Sequence, residues 1–279
     1  MKKKVEKIKE KISSIKLSLF KGIYKENLGK FKSNFKGNGL QFKDHRSYVY
    51  GDDIRGINWS LLAKNGSPYV KEHEEERNVN LTVILDVSSS MLYGLNKVSK
   101  LDVCIELVCL LYLVAQETND WVSVFFVGGK AESLGKGRGE EGFFKFLMKL
   151  KDLGLLNNNG EVNISYSYSL SNIEIKKQES YLETKKGNKN VIFFSDFHLW
   201  TNKDFSYYIF SSYWRLFRIA SPIDNGINNS VSLLFKPNFG LNGKKLAQIN
   251  DSFKNKTNKY LKTLNINEDY LNYFLREIF

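Results

Sequence analysis

The chain has 279 residues, 42% of them hydrophobic and 14% aromatic, enough to bury the core of one large domain or of one domain with a smaller companion. Its net charge of +12 is uneven: residues 1–37 hold 12 Lys against 3 Glu, so the rest of the chain is close to balanced. A basic arm meets anionic lipid, nucleic acid or an acidic protein face, and charge alone does not choose among them. Cys104 and Cys109 stand five apart in a helical pattern and so point to different sides, which excludes a disulfide or a CxxC metal site and reads as two buried free thiols of a reducing compartment. The longest apolar run, 107–115, is far short of the ~20 residues of a membrane span, and the basic N-terminus lacks the apolar stretch of a signal peptide, so the chain reads as cytoplasmic.

In chain order, residues 1–30 are expected to hold a basic amphipathic helix. Within 2–21, Val5, Ile8, Ile12, Ile15 and Leu19 form a stripe at spacings of three and four, and lysines fill most of the remainder. Such a helix packs on its own domain, on a partner, or on an anionic membrane surface. A continuous apolar stripe favours lipid or a protein groove over nucleic acid. Pelleting with anionic liposomes, with and without residues 1–21, separates these readings.

Residues 31–80 read as a small β-rich layer. Gly37-Asn38-Gly39 and Asn65-Gly66 are turn signals, and Phe42, Tyr48, Tyr50, Trp59 and Tyr69 supply aromatics. Asp44, His45, Arg46, Asp52, Asp53 and Arg55 are dense for such a layer and are expected to form ion pairs and turns, or a partner surface. The acidic run from Glu72 to Glu76 reads as a solvated or ion-paired approach to the next strand.

From residue 79 the rhythm is strand, helix, strand, helix. Strands are predicted at 81–86, 121–127, near 131–134, at 190–195 and at 214–220, with an edge strand at 231–236. Helices are predicted at 98–118, apolar nearly all round, then at 140–150, roughly 167–184, and 203–210. Lys136-Gly137-Arg138-Gly139 reads as a surface loop. Residues 81–240 are thus expected to form one α/β domain, a mostly parallel sheet between helices. Residues 241–279 are expected to form a helical extension, in two helices parted near Asn265-Ile266-Asn267.

The chemistry gathers at Asp86-Val87-Ser88-Ser89-Ser90-Met91, directly after the first of these strands. In an open parallel sheet, ligands bind outside the carboxyl ends of the strands. Asp86, Ser88 and Ser90 offer three hard oxygen donors there, and Asp196 ends a second strand. Together they suit octahedral Mg²⁺ or Mn²⁺, with a coordination position left for an outside ligand such as a partner's acidic side chain. A D-x-S-x-S segment by itself also serves as a turn and helix cap.

Leu85-Asp86-Val87-Ser88-Ser89-Ser90-Met91 resembles the metal-ion-dependent adhesion site of von Willebrand factor A domains. The upstream run is similar to the bacterial domain-of-unknown-function family 58. Its matching residues are Asp44-His45-Arg46-Ser47-Tyr48, Gly51-Asp52-Asp53-Ile54-Arg55-Gly56-Ile57-Asn58-Trp59, Ala63-Lys64-Asn65-Gly66, and Val70-Lys71-Glu72-His73-Glu74-Glu75-Glu76-Arg77. The resemblance implies an A-type fold and a metal held by Asp86, Ser88 and Ser90, with Asp196 acting directly or through water. A domains add a threonine from a middle loop; here Asn163 or Ser165 is the candidate replacement. The resemblance also implies a partner, because such proteins are commonly encoded beside MoxR-type AAA+ ATPases and act with them in protein assembly or maturation. Many relatives carry N-terminal transmembrane helices, and the basic helix at 2–21 is expected to replace that attachment if one exists.

The expected function is therefore a non-enzymatic, metal-dependent protein-binding module. No nucleophile elbow, phosphate-binding loop or zinc-ligand cluster is present. The alternative enzyme would be a metal-dependent hydrolase using His198, two residues past Asp196.

Overall fold

The computed structural model describes residues 40–75, 79–95, 98–185, 188, 190–200, 214–222, 224 and 261–278. The helices predicted at 2–21 and 203–210 and the strand predicted at 231–236 lie outside these residues, as do residues 243–260 of the first of the two helices expected in 243–279.

The described residues open with a two-stranded antiparallel hairpin, β1 (Leu40–Ser47) and β2 (Tyr69–Glu75). Most of the acidic run thus lies in a strand. Between the two strands stands a short helix, α1 (Trp59–Asn65), which the β-rich expectation did not include. Asn58 caps its start by accepting from Ser60 N and Leu61 N. Gly66 ends it at φ 69°, so the Asn65-Gly66 turn signal serves as the helix stop.

Among the described residues the central sheet has six strands: β3 (Asn80–Asp86), β6 (Trp121–Val127), β7 (Glu132–Gly137), β8 (Val191–Ser195), β9 (Arg215–Ala220) and β10 (Leu261–Asn265), in the order β10-β9-β8-β3-β6-β7. All neighbours pair in parallel except β7, which returns antiparallel along β6. A minor hairpin, β4 (Gly94–Leu95) and β5 (Val98–Ser99), leads into α2 (Lys100–Thr118). The other helices among the described residues are α3 (Gly139–Asp152), α4 (Asn172–Thr184) and α5 (Tyr270–Ile278).

Two apolar layers hold the sheet. On one face, Val83, Leu85, Val124, Phe126, Phe194 and Phe217 pack with α2, α3 and α5. On the other, Ile84, Val127, Phe193 and Leu216 pack with Leu182 of α4 and with Phe197, Trp200 and Trp214. Every residue of β8 is buried, as expected of a strand covered on both faces. Helix α2 is buried over most of its circumference, and its start is set by a reciprocal cap between Ser99 and Asp102. Cys104 and Cys109 are both buried and are not joined in a disulfide.

Three boundaries differ from expectation. The segment read as a loop at 136–139 continues β7 through Gly137 before α3 begins. Helix α4 begins only after Ser171, where Ser171 and Glu174 cap each other. Residues 261–265 form the edge strand β10, not a helix, because the open edge of β9 supplies a parallel partner from Leu216 to Ala220. Long-range pairing overrides a weak local preference there. Among the described residues, no helix is long and apolar enough to cross a membrane.

Candidate functional site

From β3 the chain passes through α2 to β6 on one side, then returns to place β8 on the other. This reversal brings the carboxyl ends of β3 and β8 side by side, with Leu85 opposite Phe194. Asp86 and Ser195 therefore become neighbours across the switch point, the usual ligand position of such sheets.

Asp86 is fully buried. Its Oδ1 accepts from Ser88 N at 2.8 Å; its Oδ2 accepts from Ser195 Oγ at 2.5 Å and from Trp200 Nε1 at 3.0 Å. Burial, reinforced by the charge of Asp196, pushes its carboxyl up to about 6 against the downward pull of Ser195 and Ser88. The hydroxyls of Ser88 and Ser90 lie 3.0 Å apart. The Ser89–Leu92 turn buries Met91 and Leu92, which seats the two serines against the core.

The loop after β6 closes on Asp86 from another side. At Gly128, φ is +77°, and a Cβ there would lie 2.2 Å from Asp86 Oδ1. Buried Gln178 of α4 pins this loop: its Oε1 accepts from Gly128 N and its Nε2 donates to Gly129 O, each at 2.9 Å.

Asp196, also buried, faces a different set of groups. Its Oδ1 accepts from His198 N at 3.1 Å, and its Oδ2 accepts from Lys100 Nζ at 2.9 Å. The same ammonium donates to Asp224 Oδ1 at 2.9 Å. Asp224 Oδ2 accepts from Ser221 N and Oγ. His198 Nε2 stands 3.8 Å from Asp196 Oδ2 and 3.5 Å from Asp224 Oδ1. Burial favours the neutral form of both acids, but Lys100 outweighs it and holds both below the usual carboxylate range. Burial likewise opposes the charge of Lys100, and the two acids raise it above its ordinary value. Between β8 and the histidine, Phe197 takes φ 62°, a left-handed conformation costly for an aromatic residue. Its ring packs edge-on against Phe193, with centroids 5.2 Å apart, and holds the turn.

A family model described as "Protein of unknown function DUF58" matches residues 44–196. The chain belongs to the DUF58 family. The DUF58 match runs from the hairpin through Asp196, so hairpin and strand-end site fall within one family unit. No curated protein and no solved structure matches the chain.

The charged residues of the DUF58 hairpin organise their own loop. Arg46 grips Asp52 with two hydrogen bonds of 2.6 and 2.7 Å, and Asp53 Oδ1 accepts from Arg55 N. His45 Nε2 meets Asn58 Nδ2 at 2.7 Å. In the middle loop, Asn163 donates to Gly154 O and accepts from Ser165 N, so it closes its own turn, while Ser165 is exposed.

The structure brings Asp86, Ser88 and Ser90 together and sets Asp196 close enough for its charge to act on Asp86. Sequence reasoning missed Lys100, Ser195, Trp200, Gln178, Gly128 and Asp224. Two of these left a trace. Lys100 is a charge at the head of an otherwise apolar helix, and Asp224 follows the end of a strand, as Asp86 and Asp196 do.

Among the described residues, no group of three or more Cys, His, Asp and Glu side chains is placed to hold a metal. A divalent ion here would instead depend on the serine hydroxyls with Asp86. That donor set fits: all are hard oxygens, and the hydroxyls stand as adjacent ligands of an octahedral Mg²⁺ would, about 3.0 Å apart for bonds of about 2.1 Å. Among the buried residues around the site, Lys100 pairs with Asp196 and Asp224, and Arg218 lies within electrostatic reach of both acids.

Proposed function

We propose that this chain is a non-enzymatic, metal-dependent protein-binding module with a von Willebrand factor A-like domain. In this reading Asp86, Ser88 and Ser90 hold Mg²⁺ or Mn²⁺ as an adhesion site. Asp196 stands beside them, and an acidic side chain of a partner completes the coordination. The observation that carries it is the pair of hydroxyls 3.0 Å apart beside a buried carboxyl at the switch point of the sheet. The bound ion would supply an electrophilic attachment point. The chain's own residues supply the rest: Ser195 and Trp200 fix the orientation of Asp86, Gln178 holds the neighbouring loop, and Phe197 positions the turn carrying Asp196 and His198. The family resemblance supports a MoxR-type AAA+ ATPase as the partner and an adaptor role in protein assembly or maturation.

Calorimetric titration of Mg²⁺ and Mn²⁺ into the parent and into a folded Asp86→Ala variant tests the site. Saturable binding in the parent alone is expected. Equal binding in both would place the ion elsewhere, and no binding in either, with or without the ATPase, would sink the reading.

A further inference from the structure

We propose that this site has two cation positions, one of them permanently filled by the ammonium of Lys100. The geometry is that of a bound ion rather than a surface salt bridge. Nζ lies 2.9 Å from Asp196 Oδ2 and 2.9 Å from Asp224 Oδ1, on acids 96 and 124 residues away in the chain. Lysine, Asp196 and Asp224 are all buried. Three chain segments meet at this one charge: the first residue of α2, the residue after β8 and the turn after β9. Each acid's second oxygen accepts from a backbone N–H, of His198 or of Ser221, and the two oxygens that meet the ammonium also face His198 Nε2 at 3.8 and 3.5 Å.

A buried ion group held by two carboxylates is costly to desolvate, and removing one partner leaves charge uncompensated. Lysine is therefore a built-in cation, tethered where a free ion would otherwise be needed. It has a consequence for the neighbouring position, which rests on the metal reading above. Asp196 is committed to the ammonium through one oxygen and to His198 N through the other. An ion held by Ser88 and Ser90 would then draw on Asp86 rather than Asp196 for carboxylate charge and would keep residual positive charge. Such an ion favours an anionic ligand from outside, which makes Lys100 a positioning residue for selection of an acidic partner group.

The test does not require the Asp86 position to work. Lys100→Ala removes the tethered charge and opens the space it filled. It is combined with Asp86→Ala so that any ion at the first position is absent. The double variant should be destabilised, and saturating Mn²⁺ or Ca²⁺ should raise its melting temperature by about 5 °C or more, while Asp86→Ala alone shows no such rise. Adding Asp224→Asn should abolish the rescue, and Lys100→Arg, which keeps the charge, should not create it. A folded double variant that gains nothing from divalent ions would overturn the proposal. Should the variants fail to fold, the unaltered chain decides: ¹⁵N spectra should show the Lys100 ammonium protected from solvent exchange, and an unprotected Lys100 would refute a buried tethered ion. Loss of ion binding in the parent with retained rescue in the double variant would count against the Asp86 reading alone.

Discussion

Replacing Gly128 with alanine tests whether the loop after β6 is shaped by its approach to Asp86. A Cβ at this position would stand 2.2 Å from Asp86 Oδ1, 3.0 Å from Ser88 N and 3.1 Å from Ser88 Cβ. Neither neighbour is the free end of a flexible chain: the carboxylate is held by Ser88 N, Ser195 and Trp200, and the amide is backbone. Something must therefore shift. The φ of +77° adds about 1–2 kcal/mol for a residue bearing a Cβ. Overpacking a tight site adds about 1–3 kcal/mol, for a total of about 2–5 kcal/mol. For a domain of this size that lowers the melting temperature by roughly 5–15 °C. Gly135 is the control: it lies in β7 with ordinary φ and nothing within 4 Å of a built Cβ, so Gly135→Ala should leave the melt nearly unchanged. Calorimetric melting of both variants, with ion titration beside it, is the assay. The Gly128 variant should melt lower and bind Mg²⁺ more weakly. A Gly128→Ala protein that melts with the parent would refute the close packing of this loop on Asp86.

Gln178→Ala should cost about 2–5 kcal/mol, because it leaves the Gly128 N–H and the Gly129 carbonyl without their buried partner. Amide hydrogen exchange at Gly128 should speed up more than at Val124 in the middle of β6, and equal protection at both would contradict the clamp. The pH dependence follows from Asp86. Its carboxyl is raised to about 6 in the folded chain against about 4 when unfolded, so the folded state holds the extra proton between those values. Stability from this group is present below about pH 4 and lost as pH rises through 6, an effect of about 3 kcal/mol. Asp196 and Asp224, held low by Lys100, act oppositely and lose their contribution only in stronger acid. Denaturant unfolding from pH 4 to 7.5 should show the decline in the parent and lose it in Asp86→Asn; a parent profile flat over that range would show that Asp86 is not strained by burial. Saturating Mg²⁺ should also flatten it.

The local sequence determined most of the element list, because period and composition carry that information directly. The strand-end apolar runs at 81–86 and 190–195 and the all-round apolar helix that became α2 could only be stable inside a covered sheet. The D-x-S-x-S run announced its own position at the end of a strand, where the donors are contiguous in the chain. What tertiary structure decided was everything that depends on meeting. Residues 261–265 are a strand because β9 offers them an edge, a fact no window of five residues contains. Ser195 and Trp200 reach Asp86 only after the sheet reverses direction at β3. Lys100 looks like a misplaced charge until Asp196 and Asp224 arrive from 96 and 124 residues away to surround it. The candidate ligands were legible because they lie on one short segment. The balance of charge around them was not, because Coulomb interactions are set by distance in the folded chain and by the burial that folding imposes.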